Sequence, residues 1–144
     1  MSYQTTNPAG AKALLESDPP HVYVDVRSVE EFDQGHVPGA YNIPILFKGA
    51  TGMQPNPDFA DVVARHFPKD ARIVFGCKAG GRSQRACEIL AGQGYGGLVN
   101  MAGGFHGACD ELGRVVEPGW AACGLPTARD SAPERTWRGL SSVG

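Results

Sequence analysis

The stretch Arg72-Ile73-Val74-Phe75-Gly76 constrains this chain more than any other. Its near-continuous apolar run, rich in β-branched and aromatic side chains, fits a strand covered on both faces, as in a parallel sheet. A helical pattern carrying Ala86, Ile89 and Leu90 begins about Ser83, directly behind it. The same alternation recurs along the chain. Residues 7–17 read as a first helix, with Asn7 as cap, Pro8 in the first turn and Ala11, Leu14 and Leu15 at helical spacing. Residues 22–26 alternate as a strand, 30–34 suit a short helix, and 40–43 a short strand after the Pro38-Gly39 turn. Residues 44–57 are punctuated by Gly and Pro and read as an exposed loop. Phe59, Val62, Val63 and Phe67 then mark a helix face, and 98–101 form a further strand closed by Gly103-Gly104. Strands and helices alternating at this spacing predict βα units and a parallel, doubly wound α/β sheet, in which ligands bind beyond the carboxyl ends of the strands.

With 144 residues, 42% of them hydrophobic, the chain can bury one substantial core but not two. A formal net charge of -2 provides no global basic field, so neither nucleic acid nor an anionic membrane is expected as partner. The start, Met1-Ser2-Tyr3-Gln4, lacks the basic and apolar regions of a secretory leader, and a cytoplasmic location is the default expectation. Four cysteines (Cys77, Cys87, Cys109, Cys123) show no C-x-x-C pair, and His21, His36, His66 and His106 have no ligand spacing; no metal or organic cofactor is implied. From Ala128 onward the sequence turns polar and loses periodicity. This sets a domain at 7–127 and a polar tail at 128–144 that is open to disorder despite Trp137.

The chemistry is concentrated in Gly76-Cys77-Lys78-Ala79-Gly80-Gly81-Arg82-Ser83, a thiol at a strand end followed by a glycine-containing loop and a helix start. Such a loop can turn successive backbone N–H groups inward, and the helix N-terminus adds partial positive charge. Gly80 and Gly81 permit the backbone angles this requires. A free cysteine titrates at about 8.5, and helix N-termini with neighbouring cations favour the thiolate, so Cys77 between Lys78 and Arg82 is placed as a nucleophile. Four residues separate Cys77 from Arg82, a tighter ring than one that encircles a whole phosphate group. It suits one extra sulfur atom better than a tetrahedral oxyanion.

The pattern C-x-x-G-x-R-[ST], met by Cys77, Gly80, Arg82 and Ser83, resembles the active-site loop of the rhodanese family. Upstream, Asp25-Val26-Arg27, Glu31-Phe32, Gly35-His36-Val37-Pro38-Gly39-Ala40 and Asn42-Ile43-Pro44 resemble that family's long D-V-R...E-F...G-H-I-P-G-A...N-I-P motif. With Gly103-Gly104 and Trp120...Gly124-Leu125-Pro126 the resemblance covers about residues 7 to 127. It implies a five-stranded parallel sheet with helices on both faces. It also implies a sulfurtransferase in which Cys77 takes a sulfane sulfur from thiosulfate or a similar donor and passes the persulfide sulfur to cyanide or a thiol. By position, the N–H groups of Lys78, Ala79, Gly80, Gly81, Arg82 and Ser83 would hold the terminal sulfur. Arg82 would bind the donor's anionic end or brace the loop, and Lys78 would either attract the donor or be a solvated surface lysine. Asp25, Arg27 and His36 are expected to be structural near the site, the first two through charge-assisted hydrogen bonds.

Two rivals share this logic: an arsenate reductase or phosphatase, disfavoured by the short loop, and a binding or sulfur-relay module served by a thioredoxin-like or other relay protein. The segment 105–119 is longer than the compact link common in the family, and following a strand end it is expected to flank the entrance.

Overall fold

The computed structural model describes residues 3–142; Met1 and Ser2, where the reading for a leader begins, and the last two residues of the tail lie outside it. In chain order the first half consists of β1 (Gln4–Thr6), α1 (Pro8–Leu15), β2 (Val22–Asp25), α2 (Val29–Asp33), β3 (Tyr41–Asn42), β4 (Leu46–Gly49), β5 (Gly52–Pro55) and α3 (Phe59–His66). The second half consists of β6 (Arg72–Gly76), α4 (Gly81–Ala91), β7 (Gly97–Met101), β8 (Gly107–Cys109), β9 (Val115–Pro118), a 3-10 turn at Pro133–Arg135 and α5 (Trp137–Ser141).

Five strands pair in the order β1-β7-β6-β2-β3, every pair parallel. Strand pleating sends alternate side chains to opposite faces and so divides the core in two. Val24, Ile73, Phe75 and Leu98 pack with Val62 and Val63 of α3, Leu90 of α4 and Leu140 of α5. Tyr23, Val74, Val99 and Met101 pack on the other side with Ala11 of α1 and Phe32 of α2. Helices therefore cover both faces, as expected. The chain steps outward from β2 to β3 and then crosses back to β6 on the other side of β2, so the topological switch point lies between β2 and β6. Cys77 follows β6 there.

The structure departs from the sequence reading in three places. The fifth strand is Gln4–Thr6, ahead of the expected boundary at residue 7. It is short, polar and paired to β7 alone, so no alternation announces it. The expected loop at 44–57 contains the antiparallel pair β4–β5, whose mostly exposed residues carry no apolar face to read. The segment after Ala128 is packed rather than free. Ala128 bridges His36 through main-chain hydrogen bonds, Leu140 is buried, and Trp137 lies 5.6 Å from Phe47 between ring centroids. A few anchors spread over a dozen polar residues leave no periodicity. Among the described residues no helix is long and apolar enough to cross a membrane.

Candidate active site

Cys77 is buried at the carboxyl end of the central strand, and the loop after it turns directly into α4. Gly80 is the residue before the helix, with φ +112, a left-handed conformation that favours glycine. In this conformation its N–H points back at Cys77 Sγ, at 3.1 Å. The Ser83 hydroxyl, one helical turn on and fully buried, lies 3.5 Å from the same sulfur. Lys78 and Ala79 are exposed at the rim, and Gly81 opens the helix.

Arg82 does not point freely at the mouth. Its guanidinium makes a two-pronged bridge to Glu31, at 2.7 and 3.0 Å, which ties the start of α4 to α2. Glu31 is itself tied down: Ser28 and Glu31 form the capping box of α2, with the Ser28 N–H and hydroxyl donating to the same carboxylate. Burial pushes the Glu31 carboxyl up, but the bonds from Arg82 and Ser28 outweigh it and hold it at about 2, against an ordinary 4.5. Glu31 carried no role in the sequence reading beyond membership of a motif. The Ser28-x-x-Glu31 spacing is the signal that marks it.

Asp25 and Arg27 lie at the end of β2, beside β6. The Arg27 guanidinium donates to both Asp25 oxygens, at 2.7 to 3.0 Å, and to the Gly35 carbonyl at 2.7 Å. Asn42 donates to the carbonyls of both residues. Arg27 also covers the Phe105 ring, 4.6 Å from its centroid, and the Phe105 N–H donates to the Cys77 carbonyl at 2.7 Å. The buried pair thus reaches the Cys loop through one aromatic ring. His36 is remote from the sulfur in its bonding. Its Nδ1 and Nε2 meet the carbonyls of Phe32 and Asp130 at 2.8 and 3.0 Å, and its ring stacks on Phe32.

The turn Gly103-Gly104 presses on the loop's far side: a Cβ at Gly104, φ +61, would strike the carbonyls of Cys77 and Lys78. From there β8 and β9 form a hairpin, and a cleft of about 360 Å³ between it and the loop is lined by Gly80, Gly81, Asn100, Ala108 and Glu117. On the opposite side, the tip of the β4–β5 hairpin forms a cleft of about 470 Å³ with Glu30, Glu31, Lys48, Lys78 and Arg82. The Cys loop therefore lies between two hairpins, and the segment 105–119 does flank it. Asn100 was missed by the sequence reading. A polar residue at 5% exposure in the apolar run Leu98-Val99-Asn100-Met101 signals a required partner, and the partner is Ser83, whose hydroxyl donates to Asn100 Oδ1 at 2.5 Å.

All four cysteines are free thiols. Burial, and secondarily Glu88, push the Cys87 thiol up to about 12, which suits a packed, inert group on α4. Cys109 and Cys123 are exposed.

A parallel α/β sheet with a cysteine at the switch point and a glycine loop cradling its sulfur defines a class of thiol-dependent site. The profile of the rhodanese-like domain matches residues 7–111, and the chain belongs to that family. It is 42% identical over 107 residues to thiosulfate sulfurtransferase 16, chloroplastic, of Arabidopsis thaliana, covering 74% of this chain and 79% of that protein. It is equally similar to the mitochondrial protein HIGH ARSENIC CONTENT 1 of the same plant, over 74% of this chain and 62% of that one. A crystal structure from M. tuberculosis superposes with a TM-score of 0.74 at 27% identity, covering 90% of this chain and all of the other. The family's named members thus include sulfurtransferases. The two plant relatives are an organellar pair by name and lend no support to the cytoplasmic expectation.

Proposed function

We propose that this protein moves a sulfane sulfur from thiosulfate or a similar donor to cyanide or a thiol through a persulfide on Cys77. The observation that carries the reading is the Gly80 N–H aimed at the buried Cys77 sulfur at the end of β6, with the Ser83 hydroxyl beside it. In the first half-reaction the Cys77 thiolate attacks the outer sulfur of thiosulfate. The new bond joins Sγ to that sulfur, the S–S bond of the donor breaks, and sulfite leaves with the electron pair. The product is an anionic persulfide, and the Gly80 N–H would stabilise its charge. In the second half-reaction cyanide or a thiolate attacks the terminal sulfur, the Cys77 Sγ–S bond breaks with its electron pair returning to the Cys77 thiolate, and thiocyanate or a new persulfide is released. Arg82, held by Glu31, keeps the loop in shape, and Lys78 supplies a positive rim for an anionic donor.

Intact mass of the reduced protein after thiosulfate addition tests this. A gain of one sulfur in the wild type, absent in Cys77→Ser and reversed by cyanide with thiocyanate released, is the expected result. No gain means thiosulfate is not the donor. One relative's name refers to arsenic, so Cys77-dependent arsenate reduction belongs in the same experiment, and its success without sulfur loading would replace this reading.

A second reading has its own observation. Leu112, Val115 and Val116 are 61 to 77% exposed on the hairpin beside the loop, the kind of apolar surface that a protein partner covers. In this reading Cys77 exchanges sulfur with a thioredoxin-like or sulfur-relay protein. Faster loading from a cysteine desulfurase than from thiosulfate, slowed by serine at all three positions, would favour it.

A further inference from the structure

The Ser83 hydroxyl has one proton and three acceptors around it: Asn100 Oδ1 at 2.5 Å, the Gly80 carbonyl at 3.1 Å and Cys77 Sγ at 3.5 Å. The shortest contact takes the proton, so Ser83 turns a lone pair toward the sulfur. A lone pair suits a neutral S–H, which can donate to it. It does nothing for a thiolate or a terminal persulfide, which need a donor.

Asn100 holds the other end of this contact for a structural reason. It follows Val99 on β7 and therefore points to the face that α4 covers, at the level of that helix's first turn. Its side chain is a planar amide with an acceptor on one side and a donor on the other. A half-turn about its Cβ–Cγ bond exchanges Oδ1 for Nδ2. The amide then donates to Ser83 Oγ, and the Ser83 proton is released to the sulfur.

We propose that Asn100 is a positioning residue: the orientation of its amide decides whether Ser83 offers Cys77 a lone pair or a proton. The consequence for catalysis rests on the persulfide reading above, since the proton-offering arrangement stabilises the sulfur when it is anionic. Asn100 does not itself touch the sulfur; it acts through Ser83. A carboxylate at this position has no donor side and holds the Ser83 proton permanently, whereas an apolar side chain of similar size releases it.

The test is the pH profile of Cys77 alkylation by iodoacetamide, followed by mass in a Cys109→Ser, Cys123→Ser background. The charged and titratable groups near the sulfur, Lys78 and Arg82 from its own loop and Tyr23 from β2, are common to every variant. Asn100→Asp is expected to move the profile to higher pH by about one unit, the scale of a lost hydrogen bond to a charged group. Asn100→Leu is expected to leave it near the wild type. In Ser83→Ala, adding Asn100→Asp is expected to produce less than half of that shift. A full shift in the Ser83→Ala background would mean that the new charge acts directly through space, and the proposal would fail. Because Asn100→Asp can impair folding, the wild-type protein supplies a second readout: the Asn100 side-chain amide resonances are expected to move as Cys77 ionises, and to stay fixed in Ser83→Ala. Unmoved resonances in the wild type overturn the proposal. Alkylation requires no sulfur donor, so failure of thiosulfate loading and failure of this inference are separate results.

Discussion

At the end of β6 a single sulfur is met by one backbone N–H and one hydroxyl, on a loop whose rim residues are open to solvent. At the end of β2, next to it in the sheet, two opposite charges are buried against each other, and Arg27 has carbonyl, carboxylate and ring partners at once. Both regions carry family motifs, yet they are built in opposite ways. The Cys77 loop leaves its sulfur with few partners, as the proposed role of nucleophile requires. The Asp25–Arg27 region leaves its charges fully engaged, because a buried charge that loses its partner is costly. Motif length therefore tracks the frame more closely than the thiol: the longer motif braces the loop, and the shorter one carries the cysteine proposed to react.

The sharpest way to break this contrast is Cys77→Ser. All sulfur loading is expected to disappear while the urea midpoint stays close to the wild type, since the exchange alters a single atom and the serine oxygen can accept the Gly80 N–H in its place. Asp25→Ala tests the other side. Leaving Arg27 buried without its carboxylate is expected to cost about 3–5 kcal/mol in urea unfolding. A loss below about 1 kcal/mol would show that the pair is not the frame it is taken to be.

Glu31 joins the two regions, and its effect is smaller and dependent on pH. Its carboxyl is depressed in the folded protein, from 4.5 to about 2, so the Arg82 bridge contributes its full stability above pH 4.5 and loses it as pH falls toward 2. Glu31→Gln is expected to lower stability by about 1–2 kcal/mol at pH 6, with both side chains partly solvated. That difference from the wild type is expected to shrink steadily below pH 4.5 and to be lost as pH falls through about 2. A difference unchanged between pH 6 and pH 2 would assign the effect to the capping box instead. The smallest expected effect is at Cys87. With its thiol pushed up to about 12, it is expected to stay unmodified by iodoacetamide at pH 8 in the folded protein while Cys109 and Cys123 react, as peptide mapping would show.

Much of this was legible in the chain because it is local. β6, the Cys loop and α4 are consecutive, so an apolar run, a glycine turn and a helical pattern announce them in one stretch of sequence. The division of the core into two faces follows from the pleat, which sends alternate side chains of Val22–Asp25 and Arg72–Gly76 to opposite sides of the sheet. Elements with little apolar periodicity were silent: β1, the β4–β5 hairpin and α5 are held by pairing to a neighbour or by a few anchors, and nothing in their own composition requires a fold.

The sequence by itself determined the class of sheet, the Cys77 loop and the end of the sheet at which that loop lies, because each depends on residues close together along the chain. Only the tertiary structure decided the partners of those residues. Arg82 meets Glu31 across 51 positions, Ser83 meets Asn100 across 17, and Arg27 reaches the Cys77 loop through Phe105. Pairings of this kind follow from strand order and register, which bring the ends of β2, β6 and β7 side by side. A side chain's own identity states that it needs a partner; the topology of the sheet decides which one it receives.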